Sequence, residues 1–179
     1  TNKRKLCYNT KMRMEAIMFI SNALNVNEKN HLTIGGADTV LLAKEYGTPL
    51  YVLDEKTIVA NMRAYKDVID REYNGNGLIF FASKSMCTKE TCRIAAREGL
   101  GIDAVSGGEI YTALSAGVSP EKICFHGNNK SYAELEFAIE KGIGRIMADS
   151  FLDIERVNEI AARYGKKQKI LVRVTPGIE

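Results

Sequence analysis

The chain has 179 residues, of which 45% are hydrophobic and 26% charged, and its formal net charge is +3. These values are close to the averages of globular proteins and predict one domain, or one and a fraction, with a sizeable core. No apolar run is long enough to cross a bilayer, and neither aromatic residues nor a Gly/Arg repeat accompany the basic residues. We therefore expect neither a membrane nor a nucleic acid as partner.

Much of the basic excess lies in residues 1–17, which we interpret as a disordered N-terminal extension. The apolar patch Ala16–Ile20 is shorter than the apolar core of a secretory signal, and Ser21 ends it. Translation is expected to begin near Met18. The four cysteines have no CxxC or metal-ligand spacing, so we expect reduced thiols, a cytoplasmic protein and no metal site. We interpret Cys87 and Cys92 as packing residues.

From residue 50 onward, short apolar runs alternate with amphipathic stretches. The runs lack polar alternation and are rich in β-branched and aromatic residues, which is typical of strands buried on both faces. They are Leu50–Leu53, Leu78–Ala82, Ile102–Val105, Lys122–Phe125, Arg145–Ala148 and Ile170–Val174. Strand alternating with helix predicts a parallel sheet.

Helix boundaries carry separate signals. Three serines precede an acid at capping-box spacing, in the pairs Ser106 with Glu109, Ser131 with Glu134, and Ser150 with Asp153. Four glycines fall just past the predicted helix ends, where a left-handed residue is favoured. They are Gly99, Gly117, Gly142 and Gly165.

Two architectures fit this alternation, an open doubly wound sheet and a closed eight-stranded barrel. A doubly wound nucleotide binder carries a Gly-rich turn after its first strand, and Phe81–Ser85 contains no glycine. Gly35-Gly36 and Gly107-Gly108 are isolated pairs, better explained as a turn or a helix entry. The pattern therefore favours an α/β fold of the (β/α)8 TIM type, with its active site at the carboxyl ends of the strands.

Polar residues at those strand ends are the candidates for chemistry. Lys84 follows Leu78–Ala82 directly, where partial desolvation would lower its pKa and free the amine to attack a carbonyl. A surface lysine is the alternative from position alone. Asp103 lies within the apolar strand Gly101–Val105, so it needs a partner, either the lysine or a cofactor.

Three further residues have a functional and a structural interpretation. Arg173 stands in the last apolar run and needs an anion, although a structural carboxylate would serve equally well. His126 opens a polar loop on the active-site side, which also leads into the Ser131 cap. Glu109 is already explained by its capping box.

The motifs around these residues resemble diaminopimelate decarboxylases, which belong with ornithine and arginine decarboxylases to the alanine racemase-like, fold-type III group of pyridoxal-phosphate barrels. In chain order they are Tyr46–Val52, Phe81–Ser85, Ser106–Glu109 and His126–Ser131. The match runs from about Asn25 to the end of the chain. The lysine motif marks the whole group, and the His-Gly-Asn-Asn-Lys stretch points to diaminopimelate decarboxylase. Phe81 and Ser85 replace the family's usual Tyr and Ala, with little change of shape.

The resemblance implies a cofactor, a reaction and an assembly. The cofactor is pyridoxal 5′-phosphate, and the substrate is meso-2,6-diaminopimelate, decarboxylated to L-lysine and carbon dioxide in the last step of lysine biosynthesis. The complete enzyme is expected to be a homodimer. The residues implied to hold or face the cofactor are Lys84, which binds it covalently, Ala82, Asp103, Arg173 and His126.

The same resemblance divides the chain and leaves parts of the family's site unfound. Residues 18–37 are expected to supply a strand to a separate C-terminal β-domain, and residues 38–179 the first part of the barrel, with about five of its eight strands. The phosphate loop and the residues shared across a dimer do not occur before Glu179. We therefore expect residues 1–179 alone to lack decarboxylase activity.

Three alternatives stay open at this point. Another member of the group could act on ornithine, arginine or a carboxylated polyamine such as carboxyspermidine. A Schiff-base aldolase barrel uses a lysine at a strand end without a cofactor. The chain could also be a non-catalytic piece of a barrel.

Overall fold

The computed structural model describes residues 21–177, so the predicted extension over residues 1–17 lies outside the described residues. The chain divides into two compact units at Asn61 and Met62. The first contains three antiparallel strands, β1 (Leu24–Val26), β2 (Leu32–Ile34) and β3 (Ala37–Asp38), followed by helix α1 (Thr39–Tyr46).

The three strands of the first unit pair with one another around short turns. Gly35 and Gly36 have φ angles of +59° and +88° and join β2 to β3, which confirms the predicted turn. The carboxylate of Asp38 accepts hydrogen bonds from the Val40 and Leu41 amides and so begins α1. The expected strand segment at residues 18–37 is thus a small self-paired sheet where it is described, and its joining a further β-domain stays a prediction.

The predicted strand at Leu50–Leu53 is wrong. These residues belong to no strand, and Tyr51 is 90% exposed. An apolar, β-branched composition favours a strand only where a neighbouring strand satisfies its backbone hydrogen bonds, and within the described residues this run has none. The run leads instead to helix α2 (Glu55–Glu72), which crosses the boundary between the units.

The second unit alternates strands with helices, as the sequence predicts. Its strands form one parallel sheet in the order of the sequence: β4 (Phe80–Ala82), β5 (Gly101–Ala104), β6 (Ile123–Phe125), β7 (Arg145–Ala148) and β8 (Ile170–Val172). The helices between them are α3 (Lys89–Arg97), α4 (Gly107–Ser115), α5 (Tyr132–Lys141) and α6 (Phe151–Arg163). Short 3₁₀ turns follow β4 at Ser83–Ser85 and precede β6 at Pro120–Lys122.

Each strand lies beside its predecessor, and crossovers between parallel strands are right-handed, so the helices cover one face of the sheet. Ile102, Ala104 and Ile146 point to that face and are fully buried. Each such isoleucine contributes about 1.5–3 kcal/mol of burial free energy. Asp103 and Arg145 alternate with them and point to the opposite, inner face, where they are half-buried.

The predicted helix boundaries are largely confirmed. Ser131 and Glu134 form a reciprocal capping box at the start of α5. The four glycines expected after helix ends all have positive φ angles, +86° at Gly99, +87° at Gly117, +71° at Gly142 and +61° at Gly165. Both Ser106 and Ser150 are N-caps as well, but their acids bind elsewhere, as described below.

Candidate active site

Lys84 lies in the 3₁₀ turn that directly follows β4, at the carboxyl ends of the parallel strands, where the sequence predicts it. The turn is held by its neighbours, since the Ser85 hydroxyl donates to the Ala82 carbonyl over 2.8 Å. The Lys84 side chain is exposed, and within residues 21–177 its amine makes no hydrogen bond or ion pair. The partial desolvation expected of this lysine is therefore not found within residues 21–177, and its amine is sterically open to a carbonyl group.

Asp103 lies one strand away, on the inner face of β5. It stands opposite Ala82 in the parallel register, which places the two predicted cofactor residues side by side. Burial raises the pKa of the Asp103 carboxyl above its ordinary value, and the positive charges of His126 and Lys84 oppose that rise. The carboxylate therefore lies within electrostatic reach of both side chains.

His126 follows β6 and continues the same edge of the sheet. Its backbone amide donates to the Ala104 carbonyl over 2.8 Å, which extends the pairing of β5 with β6 by one residue. Its Nδ1 atom lies 4.0 Å from Asp103 Oδ2. The structure thus brings together three of the predicted residues, Lys84, Asp103 and His126, on consecutive strand ends.

Arg173 follows β8, at the far side of this edge. The guanidinium Nη1 lies 3.1 Å from Asp149 Oδ1, and the side chain is 56% exposed. A protein carboxylate therefore satisfies the arginine, which is the structural alternative that the sequence left open. Arg173 is separated from Asp103 by β6 and β7, so it does not join the lysine, aspartate and histidine cluster within the described residues.

Glu109 does not close the capping box that the sequence predicts for it. Ser106 accepts from the Glu109 amide, but Glu109 Oε2 accepts instead from the Val105 amide at 2.6 Å and from the Ser83 hydroxyl at 2.9 Å. The same hydroxyl lies 2.9 Å from the Asp103 carbonyl oxygen. The carboxylate is therefore occupied by the amide at the end of β5 and by the buried Ser83 hydroxyl.

These contacts fix the turn that carries the lysine. Ser83 is fully buried and immediately precedes Lys84 in the chain. Its hydroxyl ties the turn to the backbone of β5 and to α4 through Glu109, which fixes the backbone that carries Lys84. Sequence reasoning missed this role, because the Ser-x-x-Glu spacing gives no information on a serine twenty-six residues earlier.

The sequence did not predict an ion pair near this edge. Lys130 and Asp153 form a buried ion pair, with Nζ and Oδ2 2.9 Å apart and side chains only 1% and 7% exposed. The polar loop His126–Lys130 was noticed in the sequence, but nothing there marks its last residue as buried. Asp153 also departs from its predicted capping box, because its carboxylate accepts from the Asp149 amide instead of the Ser150 amide.

Cys124 completes the inner face between Asp103 and Arg145. It pairs in register with both, and burial raises the pKa of its thiol to about 11, so it stays protonated at neutral pH. Burial has the same effect on the pKa of Cys92. Cys92 is buried and Cys87 half-buried, in agreement with packing roles.

The fold is that of a strand-helix barrel enzyme, with a lysine in the turn after its first described barrel strand. The family model described as "Pyridoxal-dependent decarboxylase, pyridoxal binding domain" matches residues 55–179. The chain belongs to this family, and its cofactor is pyridoxal 5′-phosphate, which excludes the cofactor-free aldolase alternative.

Individual relatives agree with this assignment. The chain is 48% identical over 162 residues to a diaminopimelate decarboxylase of Bacillus methanolicus, covering 90% of this chain and 37% of the relative. It superposes on a crystal structure of diaminopimelate decarboxylase from M. jannaschii with a TM-score of 0.82 and 32% identity, over 88% of this chain and 37% of that one. The fold is therefore the first part of such a barrel, and the chain spans about 37% of the length of these relatives.

A second M. jannaschii structure is that of the enzyme in complex with L-lysine, at a TM-score of 0.80 and 32% identity. With a lysine/ornithine decarboxylase of Vibrio vulnificus the chain shares 20% identity at a TM-score of 0.64, a likeness of fold. Across residues 21–177 we find neither a helix of the length and apolarity that a membrane span needs nor a cluster of three metal-ligating side chains.

The residues of the site fit the cofactor. A primary amine open to solvent suits an aldehyde, and a half-buried carboxylate suits a cationic heterocycle. The site faces the carboxyl ends of the strands, the side on which barrel enzymes bind their ligands. Four of the predicted residues lie there, namely Lys84, Ala82, Asp103 and His126. Arg173 lies farther along the edge and is paired with Asp149.

Proposed function

We propose that this chain supplies the lysine-bearing part of an enzyme that decarboxylates meso-2,6-diaminopimelate to L-lysine and carbon dioxide. The observation that supports it most strongly is the unpaired amine of Lys84 beside Asp103 and His126, in a chain 48% identical to a diaminopimelate decarboxylase. The chain covers about 37% of such relatives, so the activity of the whole enzyme, its homodimeric assembly and its cytoplasmic location belong to this proposal.

Each residue of the site has a part in it. Lys84 binds the cofactor covalently through its amine and yields it to the amino group of the substrate. Bound pyridoxal phosphate supplies a conjugated, electron-withdrawing ring that takes up the electron pair left by the departing carboxylate. The protein orients the reacting bond and excludes water around it.

Asp103 and His126 act on the charge of the site. Asp103 places a carboxylate between Lys84 and His126, so it stabilises positive charge on the lysine amine or on the ring nearby. His126 is held 4.0 Å from that carboxylate and limits how far it can move. Ala82 offers only a methyl group beside Asp103, which leaves room for a planar ring.

Arg173 has a more distant part. Its guanidinium is half-exposed on the same edge of the sheet and is already paired with Asp149. We infer that it provides a positive field for an anionic group of the cofactor or substrate while Asp149 fixes its direction.

The test is an assay of the complete enzyme with three substrates. Carbon dioxide release and amine product are measured with meso-diaminopimelate, ornithine and arginine, for the unaltered protein and for Lys84→Ala. The proposal expects L-lysine from diaminopimelate, no comparable product from the other two, and no turnover by the variant. Turnover of ornithine or arginine in preference to diaminopimelate would assign the chain to another branch of the family.

A further inference from the structure

Lys130 combines full burial with two short contacts, which is unusual for a lysine. Its ammonium group lies 2.9 Å from Asp153 Oδ2 and also donates to the Gly127 carbonyl oxygen, the next residue after His126. The side chain is only 1% exposed. Burial of an ion pair is a weak source of stability, so this pair invites a functional explanation.

The second contact bears directly on His126. Gly127 has a φ angle of +114°, a conformation that side chains rarely adopt, and a Cβ atom there would lie 3.3 Å from the Val105 carbonyl oxygen. Lys130 thus secures a loop with few conformational preferences of its own, immediately after the histidine. On the other side of His126, the backbone amide is already bound to Ala104.

Asp153 is the fixed end of this arrangement. It lies in the first turn of α6, where its amide donates to the Ser150 hydroxyl and its carboxylate accepts from the Asp149 amide. A carboxylate near a helix N-terminus is stabilised by the helix dipole as well. The lysine is therefore anchored to the start of a helix rather than to a mobile side chain.

We propose that Lys130, anchored by Asp153, is a positioning residue that holds His126 at Asp103. The ammonium group bridges the β6–α5 loop to the start of α6 and fixes the Gly127 carbonyl, which sets the direction of the preceding imidazole. The purpose of this arrangement rests on the proposed function, but the arrangement itself can be tested without the cofactor or turnover.

The variants must separate positioning from folding. Lys130→Met alone leaves the Asp153 carboxylate buried and unpaired, which destabilises the fold strongly. The double variant Lys130→Met/Asp153→Asn removes both charges, keeps an acceptor for the Asp149 amide and loses the bond to Gly127. Asp153→Asn alone keeps Lys130 but removes the carboxylate that anchors its ammonium group. Lys141→Met is the matched control, because Lys141 makes an ion pair of the same 2.9 Å length on the surface.

The readout is the reactivity of the imidazole. The protein is treated with diethyl pyrocarbonate, and the modification rates of His126 and His31 are compared by peptide mass spectrometry. His31 is the other histidine of the chain and an internal reference, since its side chain is 32% exposed against 29% for His126. Circular dichroism and thermal melting establish that each variant is folded.

The proposal expects the His126 to His31 rate ratio to rise at least about threefold in the double variant. Asp153→Asn, which removes the anchor, should raise the ratio as well, and Lys141→Met should leave it at the value of the unaltered protein. A folded double variant with an unchanged ratio would overturn the positioning role. If the double variant does not fold, an unchanged ratio in folded Asp153→Asn would overturn it. Failure of the proposed function has a different result. Lys84 would then carry no cofactor, while the variants would still change the His126 to His31 rate ratio as expected.

Discussion

Two strand-helix junctions of the second unit carry the same signature and use it differently. At Ser131–Glu134 the acid returns to its own cap, accepting from the Ser131 amide and hydroxyl. At Ser106–Glu109 the acid turns away from its cap to the Val105 amide and the buried Ser83 hydroxyl. The difference lies in the neighbouring strand, because the turn that carries Lys84 follows β4 and lies beside the Ser106 junction at the end of β5.

Glu134 caps its own helix, whereas Glu109 binds the turn that carries Lys84. Glu134 also accepts from the Gly107 amide over 2.8 Å, so it too reaches an earlier junction, but only its backbone. Glu109 reaches the side chain of Ser83, which directly precedes Lys84. Loss of Glu134 should therefore affect stability alone, and loss of Glu109 both stability and the chemistry of Lys84.

At the Ser150–Asp153 junction the acid also turns away from its cap, to the Asp149 amide and to Lys130. A substitution there should have the largest effect on stability. Lys130→Met leaves the Asp153 carboxylate buried and unpaired, and should lower the free energy of unfolding by about 3–5 kcal/mol. Lys141→Met, which breaks a surface pair, should change it by less than about 1 kcal/mol. Urea unfolding of both variants measures this, and equal losses would mean that burial of the Lys130 pair has no energetic consequence.

Replacing the two glutamates tests the comparison directly. Glu109→Ala leaves the Val105 amide without its acceptor and should cost about 1–3 kcal/mol of stability. Glu134→Ala loses a capping box and should cost about 0.5–2 kcal/mol. Only Glu109→Ala should slow covalent attachment of pyridoxal phosphate to Lys84, by about tenfold, because the turn loses its tether.

The matched control for that experiment is Glu109→Gln. Both the Val105 amide and the Ser83 hydroxyl donate to the same carboxylate oxygen, and the glutamine amide oxygen can accept from both, so the attachment rate should recover. Attachment is followed by borohydride reduction and mass spectrometry at timed intervals. A similar slowing in Glu134→Ala would show that the two junctions do not differ in function.

The variant Asp103→Asn tests whether Asp103, beside the turn that carries Lys84, takes part in the reaction. The substitution preserves shape and removes the charge between Lys84 and His126, so turnover by the complete enzyme should fall more than tenfold, about 1.4 kcal/mol in barrier. Asp70→Asn is the control, because Asp70 pairs with Lys66 on the surface. An unchanged rate in Asp103→Asn would restrict that carboxylate to a structural part.

The smallest effect is the pH dependence of the Glu134 cap. The Gly107 amide, followed by Ser131, lowers the pKa of Glu134 below its ordinary 4.5. Its stabilisation is therefore complete above the unfolded-state pKa and is lost as the pH falls through the folded-state pKa. The difference in unfolding free energy between the protein and Glu134→Gln should shrink as the pH is lowered from about 5 to about 3. A constant difference across that range would contradict the role of the Gly107 amide.

The sequence predicted the positions of strands and helix ends better than it predicted whether a given run has a partner strand. Apolar runs located five strands, and the glycine after each helix located its end, because both depend on neighbours along the chain. Leu50–Leu53 has the same composition but no partner strand among the described residues, and composition carries no information about partners.

The site residues also fall into two groups, those located by their own strand and those whose partners lie elsewhere in the sequence. Lys84, Asp103 and His126 were predictable because each follows or lies within a parallel strand, and the carboxyl ends of such strands share one edge. Glu109 was assigned to its cap, and Lys130 was left without a role, because their partners lie in neighbouring junctions. Arg173 could not be settled from the sequence, since an anion and the Asp149 carboxylate satisfy a guanidinium equally well.

The central claim, that Lys84 is the residue that binds the cofactor, is tested most directly by trapping. The protein is incubated with pyridoxal phosphate, reduced with borohydride and digested, and the labelled peptides are sequenced by mass spectrometry. We predict one dominant label, on Lys84 in the peptide that contains Phe81–Ser85, and its loss in Lys84→Ala. A label spread evenly over surface lysines, or retained at the same level in Lys84→Ala, would contradict the claim.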